Sequence, residues 1–107
     1  MEIVETEVFT KRIVEMMSDD EYMDLQEALI KKPLAGRLIP SGHGIRKLRW
    51  GIDGGGKKGG LRVIYYFLTK EETICLLLAY KKSEREDITK IQLKMLSNYI
   101  KEMFYER

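Results

Sequence analysis

The chain has 107 residues, 44% hydrophobic and 34% charged, which suits one globular domain with a real core and excludes a disordered polyelectrolyte. The net charge is only +2, and the single cysteine rules out an internal disulfide. No apolar run approaches the roughly 20 residues needed to span a bilayer, and Met-Glu-Ile-Val-Glu at the start lacks the basic and apolar regions of a signal peptide, so a cytoplasmic protein is expected. The charge is unevenly spread. Residues 1–40 carry five basic against nine acidic side chains, residues 41–82 nine against three, and residues 83–107 five of each. An acidic first third and a basic middle predict a two-poled surface, the middle suited to a polyanion.

In chain order, Glu2–Glu5 reads as a brief strand around Ile3 and Val4. Thr6 is a plausible N-cap for a helix with Phe9, Ile13, Met16 and Met17 at helical spacing, and Ser18-Asp-Asp-Glu21 forms a capping box for a second helix, striped by Tyr22, Leu25 and Leu29. Lys31, Lys32 and Pro33 end it. Leu34–Gly44 is expected to be a loop. Ile45–Trp50 reads as a strand whose alternation puts Arg46, Leu48 and Trp50 on one side and Ile45, Lys47 and Arg49 on the other, with Lys47 and Arg49 facing outward. Leu61–Leu68 and Thr73–Tyr80 are strands apolar on both faces, hence central, joined by the polar turn Thr69-Lys-Glu-Glu72. Ser83-Glu-Arg-Glu86 suits a turn, and Thr89-Lys-Ile-Gln92 opens a helix to about Tyr105 with Leu93, Leu96, Ile100 and Phe104 inward. The expected fold class is α+β: a single domain over residues 1–107, order β-α-α-β-β-β-α, with a small antiparallel-rich sheet, two N-terminal helices and a C-terminal helix.

The residues between the second and third strands, Gly51-Ile-Asp-Gly-Gly-Gly-Lys-Lys-Gly-Gly60, combine six glycines with two lysines, and Arg62 follows inside an otherwise apolar strand. Glycine allows close backbone approach to a ligand, and the cations make that ligand anionic. Gly51-x4-Gly56-Lys57 imitates a P-loop, but Lys58 stands where a magnesium-binding hydroxyl belongs and a strand follows instead of a helix. His43 has no second histidine to share a metal with and reads as a plain loop residue; Cys75, among Ile74, Leu76 and Leu77, reads as a core thiol. No metal or cofactor is expected. The cations Lys47, Arg49, Lys57, Lys58, Arg62, Lys81 and Lys82 come from separate strands and strand ends that one sheet would gather. A cation in a buried-type strand usually has a partner or a function, so Arg62 points most strongly to anion binding.

The blocks Gly44-Ile-Arg-Lys-Leu-Arg-Trp50, Gly56-Lys-Lys-Gly-Gly-Leu-Arg-Val-Ile-Tyr-Tyr-Phe67, Leu76-Leu-Leu-Ala-Tyr-Lys-Lys82 and Glu86-Asp-Ile-Thr-Lys-Ile-Gln92 together resemble the RelE/ParE superfamily of toxin–antitoxin toxins, and most closely its HigB branch. The resemblance implies a RelE-like fold and a ribosome-dependent, metal-independent mRNA endonuclease, in which the ribose 2′-hydroxyl attacks the adjacent phosphate. Carried over by position, it implies catalytic roles for Lys47, Arg62 and Lys82, and RNA or ribosome contacts from Arg46, Arg49, Lys57, Lys58 and Lys81. The tyrosine that RelE-type enzymes often carry after the last strand is not matched, since its position falls near Ile88; Tyr65, Tyr66 and Tyr80 stand elsewhere. The implied partners are mRNA, the ribosome and a helix-turn-helix antitoxin of the HigA type. Two other readings are a ParE-like gyrase inhibitor and a non-catalytic basic RNA-binding module.

Overall fold

A computed structural model describes residues 1–51, 60–85 and 87–105. The elements run β1 (Glu2–Glu5), α1 (Glu7–Met16), α2 (Asp19–Lys31), β2 (Arg37–Leu38), β3 (Arg46–Trp50), β4 (Leu61–Leu68), β5 (Thr73–Lys81) and α3 (Lys90–Ile100), which continues as one π-helical turn over Lys101–Tyr105. The fold is α+β, with a mixed five-stranded sheet in the order β1-β5-β4-β3-β2. β1 lies parallel to β5 and the other neighbours are antiparallel.

All three predicted caps form. Thr6, Ser18 and Thr89 accept hydrogen bonds from Phe9, Glu21 and Gln92 N–H, and the last two complete capping boxes. The order departs from expectation in one place: the 34–44 segment contains a short strand, β2, which pairs with β3. Two residues are too few to show an alternating pattern, so nothing in Arg37-Leu38 announces a strand. β3 begins at Arg46 rather than Ile45, and β5 runs one residue further, through Lys81.

The central strands are covered on both faces, as their apolar character requires. One face packs Leu61, Val63, Tyr65, Ile74, Leu76 and Ala79 against Phe9 and Ile13 of α1 and Leu25 and Leu29 of α2. The other packs Ile64, Leu68, Cys75, Leu77 and Tyr80 against Leu93 and Ile100 of α3. Cys75 is 1% exposed, and burial pushes its thiol up to about 11. The native thiol should therefore resist an alkylating reagent at pH 8 and react on unfolding; rapid modification of the folded protein would contradict its placement.

β5 carries a bulge. Ile64 pairs with Leu78 but the next residue, Tyr65, pairs with Leu76, leaving Leu77 as an extra residue. Thr6 secures this point: its hydroxyl donates to the Leu77 carbonyl at 2.8 Å while accepting from Phe9 N–H at 3.0 Å, and its own N–H donates to the Leu76 carbonyl. One side chain thus caps α1 and satisfies the bulged carbonyl. Thr6→Val, which keeps the shape and removes the hydroxyl, should lower the unfolding free energy by about 2 kcal/mol in urea titration, whereas Thr6→Ser should retain most of it.

Candidate functional site

The pleat and the bulge decide which side chains share a face. Across the sheet, Arg49 of β3 stands opposite Arg62 of β4, and Arg62 stands opposite Tyr80 of β5. Lys47, two residues along β3 from Arg49, lies on the same face and pairs with Ile64. This is the face that α3 partly covers. Lys47 is accordingly half-buried rather than fully outward, while Arg49 is exposed.

Arg62 is only 5% exposed. Among the described residues its guanidinium makes one long hydrogen bond, from Nη1 to the carbonyl of Leu61 at 3.4 Å. Among the described residues the ion pairs are Arg12–Glu84 and Lys47–Asp87, so no carboxylate there neutralises Arg62. Burying a cation without a counter-charge is costly, and a like charge directly opposite, Arg49, adds to that cost. An anion seated between them would relieve both.

Tyr80 completes the row. It is 2% exposed, and its hydroxyl is a buried polar atom with no hydrogen-bond partner among the described residues. The Arg85 guanidinium lies over its ring, 5.4 Å from the centroid, and is held there by a 2.7 Å hydrogen bond to Gln92 of the α3 capping box. Burial, and then the Asp87 charge, push the Tyr80 phenol up, against the opposing pull of Arg62 and Arg85, so the hydroxyl keeps its proton at neutral pH. The Asp87 carboxylate accepts from Lys47 Nζ at 3.4 Å and from Ile88 N–H at 3.0 Å. Lys47, Arg49, Arg62, Tyr80, Arg85 and Asp87 thus form one cluster of four cations, one carboxylate and one protonated hydroxyl.

The remaining cations are placed differently. Arg46 lies on the opposite face and is used structurally: its Nη1 donates to the Gly36 carbonyl at 2.7 Å and to the Leu34 carbonyl at 3.3 Å, tying the loop before β2 to β3. Lys81 pairs with Leu61, also on the opposite face, and its N–H donates to Glu84. Lys82 is exposed in the turn after β5, and its N–H donates to the Gly60 carbonyl at 3.4 Å. Gly60 must be glycine, since a Cβ there would stand 1.9 Å from the Trp50 carbonyl oxygen. Lys57 and Lys58 lie outside the described residues.

The two tyrosines of β4, Tyr65 and Tyr66, are engaged. The Tyr65 hydroxyl donates to the Pro33 carbonyl and accepts from Gly36 N–H, both at 2.8 Å. The Tyr66 hydroxyl shares a 3.1 Å hydrogen bond with that of Tyr105. Sequence reasoning left Tyr80 unassigned and passed over Arg85 and Asp87. Simple alternation along Thr73–Tyr80 puts Tyr80 with Ile74 and Leu76 on the α1/α2 face; the bulge reverses the phase and turns it towards Arg62. Among the described residues, no three His, Cys, Asp or Glu side chains gather closely enough to share a metal ion, and no helix is long and apolar enough to cross a membrane.

The difference between the tyrosines is testable by unfolding. Tyr65→Phe strands two buried backbone groups and should cost about 1–3 kcal/mol, whereas Tyr80→Phe removes an unpaired hydroxyl and should be neutral within about 0.5 kcal/mol or stabilising. A large loss for Tyr80→Phe would mean that its hydroxyl is satisfied in the native protein. Compared with known protein families, the chain matches no family model.

Proposed function

We propose that this chain is a RelE/ParE-type toxin of the HigB-like branch, acting in the cytoplasm as a ribosome-dependent mRNA endonuclease restrained by a helix-turn-helix antitoxin. The sequence blocks around β3, β4 and β5 support the family reading. The observation that carries the chemistry is the buried Arg62 guanidinium beside the Tyr80 hydroxyl, the first without a carboxylate partner and the second without a hydrogen-bond partner among the described residues.

Cleavage by a ribose 2′-hydroxyl needs three things: removal of the 2′ proton, neutralisation of charge on the phosphorane, and a proton for the departing 5′-oxygen. Arg62, poorly solvated, binds the non-bridging oxygens, and Tyr80 donates its hydroxyl hydrogen bond to one of them. Asp87 accepts the 2′ proton as the 2′-oxygen bonds to phosphorus. Lys47, whose Nζ lies 3.4 Å from Asp87 Oδ1, delivers a proton to the 5′-oxygen as the P–O5′ bond breaks. The products are a 2′,3′-cyclic phosphate and a free 5′-hydroxyl. Arg49 and Lys82, both exposed, extend the positive surface for the flanking RNA backbone.

Expressing the chain alone and mapping transcript ends by primer extension tests the proposal. Cleavage within translated messages is expected, and Arg62→Ala should reduce it about 100- to 1,000-fold. Inhibition of gyrase supercoiling without RNA cleavage would favour a ParE-like activity instead. Normal ribosome binding together with full toxicity in Arg62→Ala would favour a binding module without catalysis.

A further inference from the structure

A second feature lies further along the face that carries Arg62. Between the 40–45 loop, Tyr66 of β4 and α3 there is a cavity of about 830 Å3, within the range of small-molecule sites. Tyr66 is four residues along β4 from Arg62, on the same face, a separation of about 13 Å at the usual rise of a strand. The cavity is therefore distinct from the Arg62 cluster.

Its lining is one-sided in charge. Lys90 and Lys94 line it from the C-terminal helix, His43 lines it from the loop, and no Asp or Glu is among the described residues of the lining. Lys90 and Lys94 are one helical turn apart, an arrangement that is mildly destabilising by itself. Lys90 also sits in the first turn of α3, where the helix already presents positive N–H ends and no acidic residue offsets them. The aromatic rings of Tyr66 and Tyr105, with hydroxyls 3.1 Å apart, form the adjoining wall.

The loop opposite the helix is held in an unfavourable backbone shape. Ser41 and His43, neither of them glycine, adopt positive φ angles of 64° and 54°. The arrangement is secured by hydrogen bonds from Gly42 N–H to Ile39 O, from Ile45 N–H to Gly42 O and from the Ser97 hydroxyl to Gly42 O. Non-glycine residues held in this region commonly mark ligand sites, and this pair stands on the rim of the cationic cavity.

We propose that this cavity is a nucleotide-sized anion site, in which the ammonium groups of Lys90 and Lys94 hold a phosphate and the Tyr66 and Tyr105 rings receive a base. The ligand is a single nucleotide unit, either free or as part of a strand. The site is separate from the phosphodiester chemistry assigned to Arg62 and does not depend on it.

Titration calorimetry of the full chain with adenosine 5′-monophosphate, inorganic phosphate and a short single-stranded RNA tests the proposal. The monophosphate should bind more tightly than phosphate alone, and Lys90→Gln/Lys94→Gln should weaken it about tenfold or more. Tyr66→Leu should remove the advantage of the nucleotide over phosphate. Arg62→Ala should leave the lysine-dependent part of monophosphate binding unchanged, with thermal unfolding used to verify that each variant is folded. Much tighter binding of the RNA, equally sensitive to the two lysines, identifies a strand as the source of the nucleotide; equal affinity identifies the free form. No binding of the monophosphate at millimolar concentration, binding indifferent to the lysine substitutions, or binding abolished by Arg62→Ala would overturn the proposal.

Discussion

The hydrogen bond from the Thr6 hydroxyl to the Leu77 carbonyl holds together more of this molecule than its size suggests. A bulge leaves backbone groups outside the regular ladder, and a buried unpaired carbonyl is expensive. Thr6 satisfies it from the junction of β1 and α1, so the parallel docking of β1, the start of α1 and the irregularity in β5 form one unit. The extra residue at Leu77 then allows β5 to send Ile74, Leu76 and Ala79 to one core and Leu77 and Tyr80 to the other. The orientation of Tyr80 towards Arg62 is thus a consequence of how the amino-terminal segment is fastened.

The cationic row across β3, β4 and β5 is the least economical part of the fold. Two arginines face one another across a strand pair, one of them almost wholly out of solvent, and a tyrosine hydroxyl nearby makes no hydrogen bond among the described residues. A packed interior built only for stability would place apolar side chains at these positions. The surroundings restrain the groups without neutralising them: Arg85 is fixed by Gln92, and Asp87 engages Lys47 rather than Arg62. Such an arrangement stabilises negative charge brought from outside, which is the physical basis for proposing a phosphate there.

Much of the architecture was legible in the residues, because the signals were local. Thr6, Ser18 and Thr89 mark helix starts through hydrogen bonds that span three residues, and the apolar runs of β4 and β5 are long enough to declare strands covered on both sides. The alternation of β3 placed Lys47 and Arg49 together correctly. What was not legible depended on contacts distant in sequence. Arg46 resembles its neighbouring cations in composition, and only the fold shows that it anchors the carbonyls of Leu34 and Gly36. Lys81 follows the pleat to the face opposite Arg62. Tyr80 was obscured by the bulge, whose stabilising partner lies 71 residues away. Asp87 gave no signal because its relation to Lys47 spans 40 residues.

The two outer strands of the sheet have a consequence for association. β2 contains two residues, so it presents very few free N–H and C=O groups to a neighbour, and β1 contains four, with exposed Glu2 and Glu5 at its ends. Short margins bearing exposed charged side chains disfavour strand addition from another molecule and resist the lateral growth that leads to aggregates. Recruitment of another macromolecule by this fold is thereby directed to its broad surfaces and helices, where side chains rather than backbone determine who is admitted.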